Sequence, residues 1–330
     1  MKSLVVKFER DYQDAWDNFV MQESVNGTFL QTRRFLSYHP ADRFLDHSLL
    51  VMKGTNIVAV VPAHEVLDTS RKFISHAGST FGGIVLGKSY QKIADLDAIL
   101  EQLMMYWKEH QFTDIDLKQT SRLYAKEPTE VIDYYLHYHG FQSSAERGYY
   151  VDLQSLQHEK PLEDTFNGSR RRGLRKSDGY EMQCRELISE DGISDFYRVL
   201  CNNQEKFHRK PVHTRNELLD FKKNRLKDEV CFYGVFWQDV LIAGSMVFLF
   251  GDKQVFHTQY LACDQTQLAL YPSERLYYSL IQEAIKKGYK TISFGTATED
   301  RGEVLNRGLA QFKEGFGAKV YVNRNYKTRL

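Results

Sequence analysis

The run Ser169-Arg170-Arg171-Arg172-Gly173-Leu174-Arg175-Lys176 puts five cations into eight residues. A planar guanidinium fork grips phosphate oxygens in pairs, so Arg170, Arg171, Arg172 and Arg175 are candidates for holding a nucleotide, a lipid-linked diphosphate or a tRNA backbone. A second basic block closes the chain, with Arg301, Arg307, Lys313, Lys319, Arg324, Lys327 and Arg329 against Glu303 and Glu314. It too suits a phosphate-bearing ligand; a solvated helix face and a basic tail are the plainer readings of the two blocks. Glu299 and Asp300 follow the last strand of an α/β pattern, and ligands gather at the carboxyl ends of such strands. They are therefore the carboxylates best placed for proton transfer. His208 and His213 share one loop, read here as shaping a binding pocket. The eleven histidines show no ligand spacing, and no HExxH, GxSxG, phosphate-binding loop or dinucleotide fingerprint occurs, so no metal is expected.

These local features sit in a chain with little global polarity. Forty-four basic residues against 43 acidic give a net charge of +1, which argues against a polyelectrolyte built for nucleic acid. With 42% hydrophobic and 26% charged residues and only 6 prolines, disorder and collagen-like repeats are excluded. Cys184, Cys201, Cys231 and Cys263 show no CxxC spacing and read as reduced packing residues, which points to a cytoplasmic setting. Met1 to Arg10 alternates apolar and charged residues without the apolar run of a signal peptide. The longest apolar run, Val240 to Phe250, is about half a membrane span and reads as a buried strand.

The positioning elements come in two copies. Ser48 to Leu67 reads as strand, Gly-Thr-Asn turn, strand, and Cys231 to Phe250 has the same form with a turn at Gln238-Asp239. Each hairpin leads to an extended segment, Phe73 to Leu86 and Gln254 to Cys263. Each then enters an amphipathic helix, Ile93 to His110 and Ser273 to Lys287, and closes on a strand, Thr113 to Lys118 and Lys290 to Gly295. The order repeats at an offset of about 180 residues and predicts two α/β (α+β) domains, each a mixed, mostly antiparallel sheet flanked by helices. The boundary is expected in the polar stretch Gln154 to Glu163, giving domains 1–155 and 156–330, with a helix ending at His139-Gly140 and a terminal strand before it.

In this order the residues resemble the tandem acetyltransferase-fold group (tandem GNAT) that includes the FemAB-type aminoacyl transferases. The resemblance is carried by Trp16 with Thr28-Phe29-Leu30-Gln31-Thr32 and Phe35, by Ser169 to Lys176, by Leu241-Ile242-Ala243-Gly244 and by His257-Thr258-Gln259-Tyr260. Its most specific part is Asn306-Arg307-Gly308-Leu309-Ala310-Gln311-Phe312-Lys313-Glu314-Gly315-Phe316-Gly317. It spans nearly the whole chain, most weakly from 86 to 160. It implies acyl or aminoacyl transfer to an amine or hydroxyl of a cell-envelope or carbohydrate-type acceptor, with the site in the second domain. The long charged helical hairpin of some members is missing, which sets this chain with the shorter ones.

Such a transfer passes through a tetrahedral oxyanion, so it needs donors aimed at developing negative charge and a route for the acceptor's proton. The resemblance gives Lys313 the first task, with Phe312 beside it at the substrate. It places Tyr260 on a strand that splays from its neighbour, as general acid or acceptor anchor; core packing is the other reading of this tyrosine. Strict alternation along that strand puts His257, Gln259 and Leu261 on one face and Phe256, Thr258 and Tyr260 on the other. His257 is then a structural histidine. The donor expected first is acyl-CoA, with aminoacyl-tRNA as the alternative. The loop from Asp264 to Pro272 holds no glycine to cradle a pyrophosphate, and Glu274 adds negative charge at the helix start. A precursor- or nucleic-acid-binding module without catalysis is the reading from a different class.

Overall fold

The computed structural model describes residues 3–40, 43–156, 160–205, 208–251 and 253–330. Within the stretch expected as a linker, residues 157–159 lie outside the described residues. The chain forms two compact units, residues 1–146 with 300–303 and 322–330, and residues 147–299 with 304–321. The expected boundary at 155/156 is a single cut, whereas these units are discontinuous. The chain crosses at 146/147 and 321/322 inside two long strands, and leaves and re-enters unit two at 299/300 and 303/304; a strand has no exposed, polar hinge to mark a crossing in sequence.

Unit one holds β1 (Ser3–Lys7), α1 (Gln13–Asn18), α2 (Arg33–Leu36), β2 (Leu45–Asp46), β3 (Leu49–Lys53), β4 (Asn56–Val61), β5 (Ala63–Leu67), β6 (Arg71–Ser75), β7 (Val85–Leu86), α3 (Ile93–Glu109), β8 (Asp114–Lys118) and α4 (Glu130–Tyr138). The predicted stripe of α3 is its buried face: Leu96, Ile99, Leu100, Leu103 and Trp107 pack in one core with Phe73 and Ile115. The hairpin of the first copy is split. Alternation runs on through Pro62, but Pro62 has no N–H for a ladder and separates two strands that join different sheets. β4 pairs with β3 and β7, while β5 pairs with β2 and β6. The expected segment Phe73 to Leu86 likewise divides into β6 and β7. β6 and β8 are parallel, in register from Lys72↔Asp114 to Ile74↔Asp116.

Unit two takes up the chain within β9 (Gln142–Asp152) and continues through α5 (Gly168–Asp178), β10 (Gln183–Glu186), α6 (Glu190–Glu205), α7 (Arg215–Asp220), β11 (Val230–Trp237), β12 (Val240–Phe250), β13 (Val255–Cys263), α8 (Pro272–Lys286), β14 (Thr291–Thr296), β15 (Thr298–Glu299), β16 (Val304–Leu305) and α9 (Arg307–Glu314). β17 (Lys319–Arg329) starts here and ends in unit one. Here the hairpin is intact. Gln238 and Asp239 both adopt positive φ, 49° and 60°, the two-residue turn that matches the twist of paired strands. The sheet order is β10-β11-β12-β13-β14-β9. On one face α8 buries Leu276, Tyr277, Leu280, Ile281 and Ala284 against Tyr233, Val247, Phe256 and Ile292. α6 packs on β12 and β13 through its buried residues Ile193, Phe196, Val199 and Leu200.

Alternation along β13 fails at one point. Val247 pairs with Thr258 but Met246 pairs with Tyr260, leaving Gln259 as the extra residue of a bulge. A bulge moves everything beyond it to the opposite face. Tyr260 therefore shares a face with His257, not with Thr258, contrary to the strict alternation expected.

Candidate active site

β13 and β14 are parallel over only three pairs, from Val255↔Thr291 to His257↔Ser293, where their register ends. Beyond that point the strands open into a wedge. A cavity of about 530 Å³ is lined there by Cys263, Gln265, Ser273, Tyr277, Asn306 and Phe312, among others. The matching pair in unit one, β6 and β8, also runs for three pairs, but the cavity at its end is smaller, about 210 Å³. Ser75 Oγ accepts hydrogen bonds from Gly83 N and Lys118 N, both at 2.9 Å. Gly83, at φ +62°, abuts the Gln119 side chain so closely that no Cβ fits. The duplicated scaffold thus keeps the larger cleft in the second copy.

Leu309 and Phe312 of α9 line that cavity together with Asn306 at its start, while Lys313 lies on the helix's buried face. Asn306 caps it, accepting from Leu309 N at 3.0 Å. Ala310 and Lys313, three residues apart, form its buried face. Lys313 is only 4% exposed, and its Nζ donates to the Thr296 carbonyl at the end of β14, at 2.7 Å. Among the described residues it has no ion pair, and burial alone pushes its pKa from 10.5 down to about 7. Such a lysine switches between ammonium and amine near neutral pH. Nearby, His257 is held neutral by burial, which lowers its pKa to about 3. Its Nδ1 lies 3.1 Å from Ser293 Oγ, which is 3.2 Å from Tyr321 Oη.

Phe312 packs edge-on to Tyr277 and Phe316, with the Arg170 guanidinium 4.5 Å above its ring. Arg170 is itself engaged: its Nη1 donates to Glu274 Oε1 at 2.6 Å, and Gly315 leaves room for its stem, since a Cβ there would meet Arg170 Cγ at 2.7 Å. Glu274 is buried in the first turn of α8, and burial raises its pKa against the lowering effect of Arg170. The helix terminus that would hold a phosphate is filled by a carboxylate from its own chain. The preceding loop is tied down by amides: Gln265 N donates to Asn202 Oδ1 at 3.0 Å, and Gln265 Nε2 donates to Asn203 Oδ1 at 3.0 Å. Tyr271 takes the left-handed conformation just before Pro272 opens α8.

The remaining candidates separate. Tyr260 Oη and His213 Nδ1 share a hydrogen bond of 2.6 Å, and burial raises the phenol pKa, so Tyr260 stays a protonated donor. His208 is exposed at positive φ; residues 206–207 beside it lie outside the described residues. Arg171 donates to the Phe166 carbonyl at 3.0 Å and pairs with Asp164. Arg172 and Arg175 are exposed on α5. Glu299 pairs with Arg209 at 3.3 Å, and Asp300 belongs to unit one, at φ 49°. The structure thus joins Arg170 to Phe312 and Tyr260 to His213. The partners that sequence reasoning missed are the Thr296 carbonyl, Ser293 and Tyr321; a backbone acceptor carries no side-chain signature, and the spacing of Ala310 and Lys313 was the one available sign of a buried lysine. Among the described residues no three metal-ligating side chains converge.

Against solved structures, the chain is similar over its whole length to FemX, covering 100% of this chain and 98% of that one at 12% identity and a TM-score of 0.69. It is similar to the C-terminal domain of a putative lysylphosphatidylglycerol synthetase from Agrobacterium fabrum over 96% and 91% of the two chains, at 11% identity and a TM-score of 0.62. A tandem GNAT protein from the clavulanic acid biosynthesis pathway is similar over 99% of each chain, at 10% identity and a TM-score of 0.56. No family model and no curated protein matches the chain. The fold is therefore that of the tandem acetyltransferases, mixed α/β with a mostly antiparallel sheet flanked by helices, as the sequence resemblance implied.

Proposed function

We propose that unit two transfers an acyl or aminoacyl group from an activated ester to an amine or hydroxyl. The observation that carries this reading is Lys313, a buried lysine with its pKa near 7 at the end of β14. The acceptor attacks the ester carbonyl, the new bond forms as the carbonyl electrons move to oxygen, and the Lys313 ammonium stabilises that oxyanion. Collapse expels the ester's alcohol or thiol, which takes up the proton the acceptor loses. Tyr260, held by His213, anchors the acceptor through its O–H, and Arg172 and Arg175 remain open to an anionic part of either substrate.

The filled terminus of α8 supports a donor other than acyl-CoA: Glu274 sits where a diphosphate would need bare amides. An aminoacyl ester such as aminoacyl-tRNA fits better. The resemblance points to a cell-envelope precursor as acceptor, and among the described residues no helix is long and apolar enough to cross a membrane. A cytoplasmic setting goes with the four free thiols.

The test is transfer to hydroxylamine, with a mixed aminoacyl-tRNA pool or acetyl-CoA as donor and the Lys313→Met protein as background. Aminoacyl transfer should exceed acetyl transfer by about tenfold or more, a difference of at least 1.4 kcal/mol in barrier. Acetyl transfer as fast as aminoacyl transfer would return the donor to acyl-CoA. No transfer above background from either would end the enzymatic reading.

A further inference from the structure

The C-terminal basic block is divided between the units, and Arg301, Lys327 and Arg329 fall in unit one, where the acyl-transfer reading gives them no task. There β6, β8 and the end of β17 turn Phe73, Ile115 and Tyr326 into the core. Their alternate residues Ile74, Asp116 and Lys327 therefore face the other way. On that face lies a cavity of about 640 Å³, lined by Lys72, Asp114, Asp116, Arg301, Lys327 and Arg329 with a few neighbours. A second cavity of about 210 Å³ adjoins it, sharing Ile74, Asp116 and Arg301.

The charges in the outer cavity do not cancel. Four cations face two carboxylates. Asp116 is bracketed by Arg301 and by Lys327, the latter at 3.9 Å. Asp114 is occupied by the hydroxyls of Ser70 and Thr113. Lys72 pairs with Asp68, so Arg301, Lys327 and Arg329 stand against Asp114 and Asp116, and the excess positive charge favours an incoming oxyanion. The inner cavity supplies an independent sign. Asn325 lines it and is 2% exposed, yet its Nδ2 has no hydrogen-bond partner among the described residues. A buried amide donor left unpaired costs about 1–3 kcal/mol, so its retention argues for an acceptor supplied from outside the chain. Asp116 and Arg301 are shared with the outer cavity and Lys118 pairs with Glu146 at 2.9 Å; the remaining polar groups, Ser75, His76 and Ser79, suit an uncharged hydroxylated body.

We propose that this groove in unit one binds a small phosphorylated molecule, its phosphoryl oxygens held by Arg301, Lys327 and Arg329 and an uncharged acceptor by Asn325. Two adjoining cavities of this size suit a sugar phosphate or a nucleotide. All the residues that line it belong to unit one, and the proposal does not rest on the acyl-transfer reading.

Calorimetric titration of the full chain with inorganic pyrophosphate, ADP and citrate tests it. Pyrophosphate and ADP should bind with dissociation constants under about 1 mM, and citrate about tenfold more weakly. The surface double variant Arg301→Gln/Lys327→Gln should lose about tenfold for both phosphates, and its weaker binding should depend less on salt. Asn325→Leu should lose several-fold for ADP while melting no lower than the parent, because it removes an unpaired donor. Lys313→Met should bind pyrophosphate like the parent, which keeps this proposal distinguishable from the catalytic one. No binding of any probe, affinity unchanged in the double variant, or tighter binding of citrate than of pyrophosphate would overturn the proposal.

Discussion

Lys313→Met should give a protein that melts higher than the parent and transfers nothing measurable. Methionine has nearly the shape of lysine without the charge, so the substitution keeps the packing of α9 and removes the ammonium. For turnover the expected loss is about a hundred- to a thousand-fold, the range for removing one oxyanion-stabilising donor. For stability the sign follows from the pKa. The unfolded chain binds the Lys313 proton up to pH about 10.5, whereas the folded chain releases it near 7. Folding is thus penalised in full below pH 7, and the penalty fades as pH rises towards 10.5. At about 1.4 kcal/mol per unit the upper bound is near 5 kcal/mol. The Thr296 carbonyl left without its donor returns about 1–3 kcal/mol of that. A gain of about 2 kcal/mol at pH 6, or several degrees in Tm, should shrink to nothing or reverse at pH 10.

The same lysine sets the pH profile of the parent. If its charge stabilises the oxyanion, kcat/KM falls as pH rises through about 7, because the ammonium is lost. A rise through that pH would instead make the amine the base that takes the acceptor's proton. Thermal melts at pH 6 and 10, with rates from pH 5.5 to 8.5, check all of this. A Lys313→Met protein that keeps half of the parent's turnover would remove lysine from the mechanism.

What could be read before the fold was seen followed from periodicity. α3 and α8 lie within one residue of their expected bounds, as do β13 and β14, because a 3.6-residue or 2-residue pattern is a direct imprint of burial. The departures share a cause: a backbone event that leaves the pattern unbroken. Apolar alternation runs straight through Pro62 although two strands meet there. Nothing in His257-Thr258-Gln259-Tyr260 marks Gln259 as a bulge, yet the bulge decides which face Tyr260 occupies. The cleft was legible as motif and not as geometry. Phe312 and Lys313 stood out by resemblance, while the burial that tunes Lys313 depends on how α9 meets the end of β14, 17 residues earlier in the chain. The missing glycines before α8 were plain to see. What took the place of an anion there was not, because Arg170 and Glu274 are 104 residues apart.

That pair carries the second large effect. Arg170→Ala should destabilise unit two by about 3–5 kcal/mol, the usual result of stranding one member of a buried ion pair. The carboxylate side chain of Glu274 is 9% exposed and its arginine 21%, so water cannot replace the lost partner. Besides the ion pair, the substitution removes the guanidinium from the Phe312 ring. The loss should depend on pH in a stated direction. Burial already holds the Glu274 pKa above its usual value, and Arg170 is what restrains it. Without Arg170 the folded carboxyl keeps its proton to higher pH than the unfolded one, so the variant's stability falls as pH rises above about 4.5. Melting should therefore show a smaller deficit at pH 5 than at pH 8. Arg170→Met/Glu274→Gln, which replaces both charges and keeps most of the volume, should lie within about 1 kcal/mol of the parent, because no charge is left stranded. Equal losses in the single and double variants would mean that the interaction with Phe312, not the ion pair, holds α5 on α8. A double variant that melts like the parent and still prefers aminoacyl ester to acetyl-CoA would show that donor choice lies in the Asp264–Tyr271 loop and not in the carboxylate at the helix start.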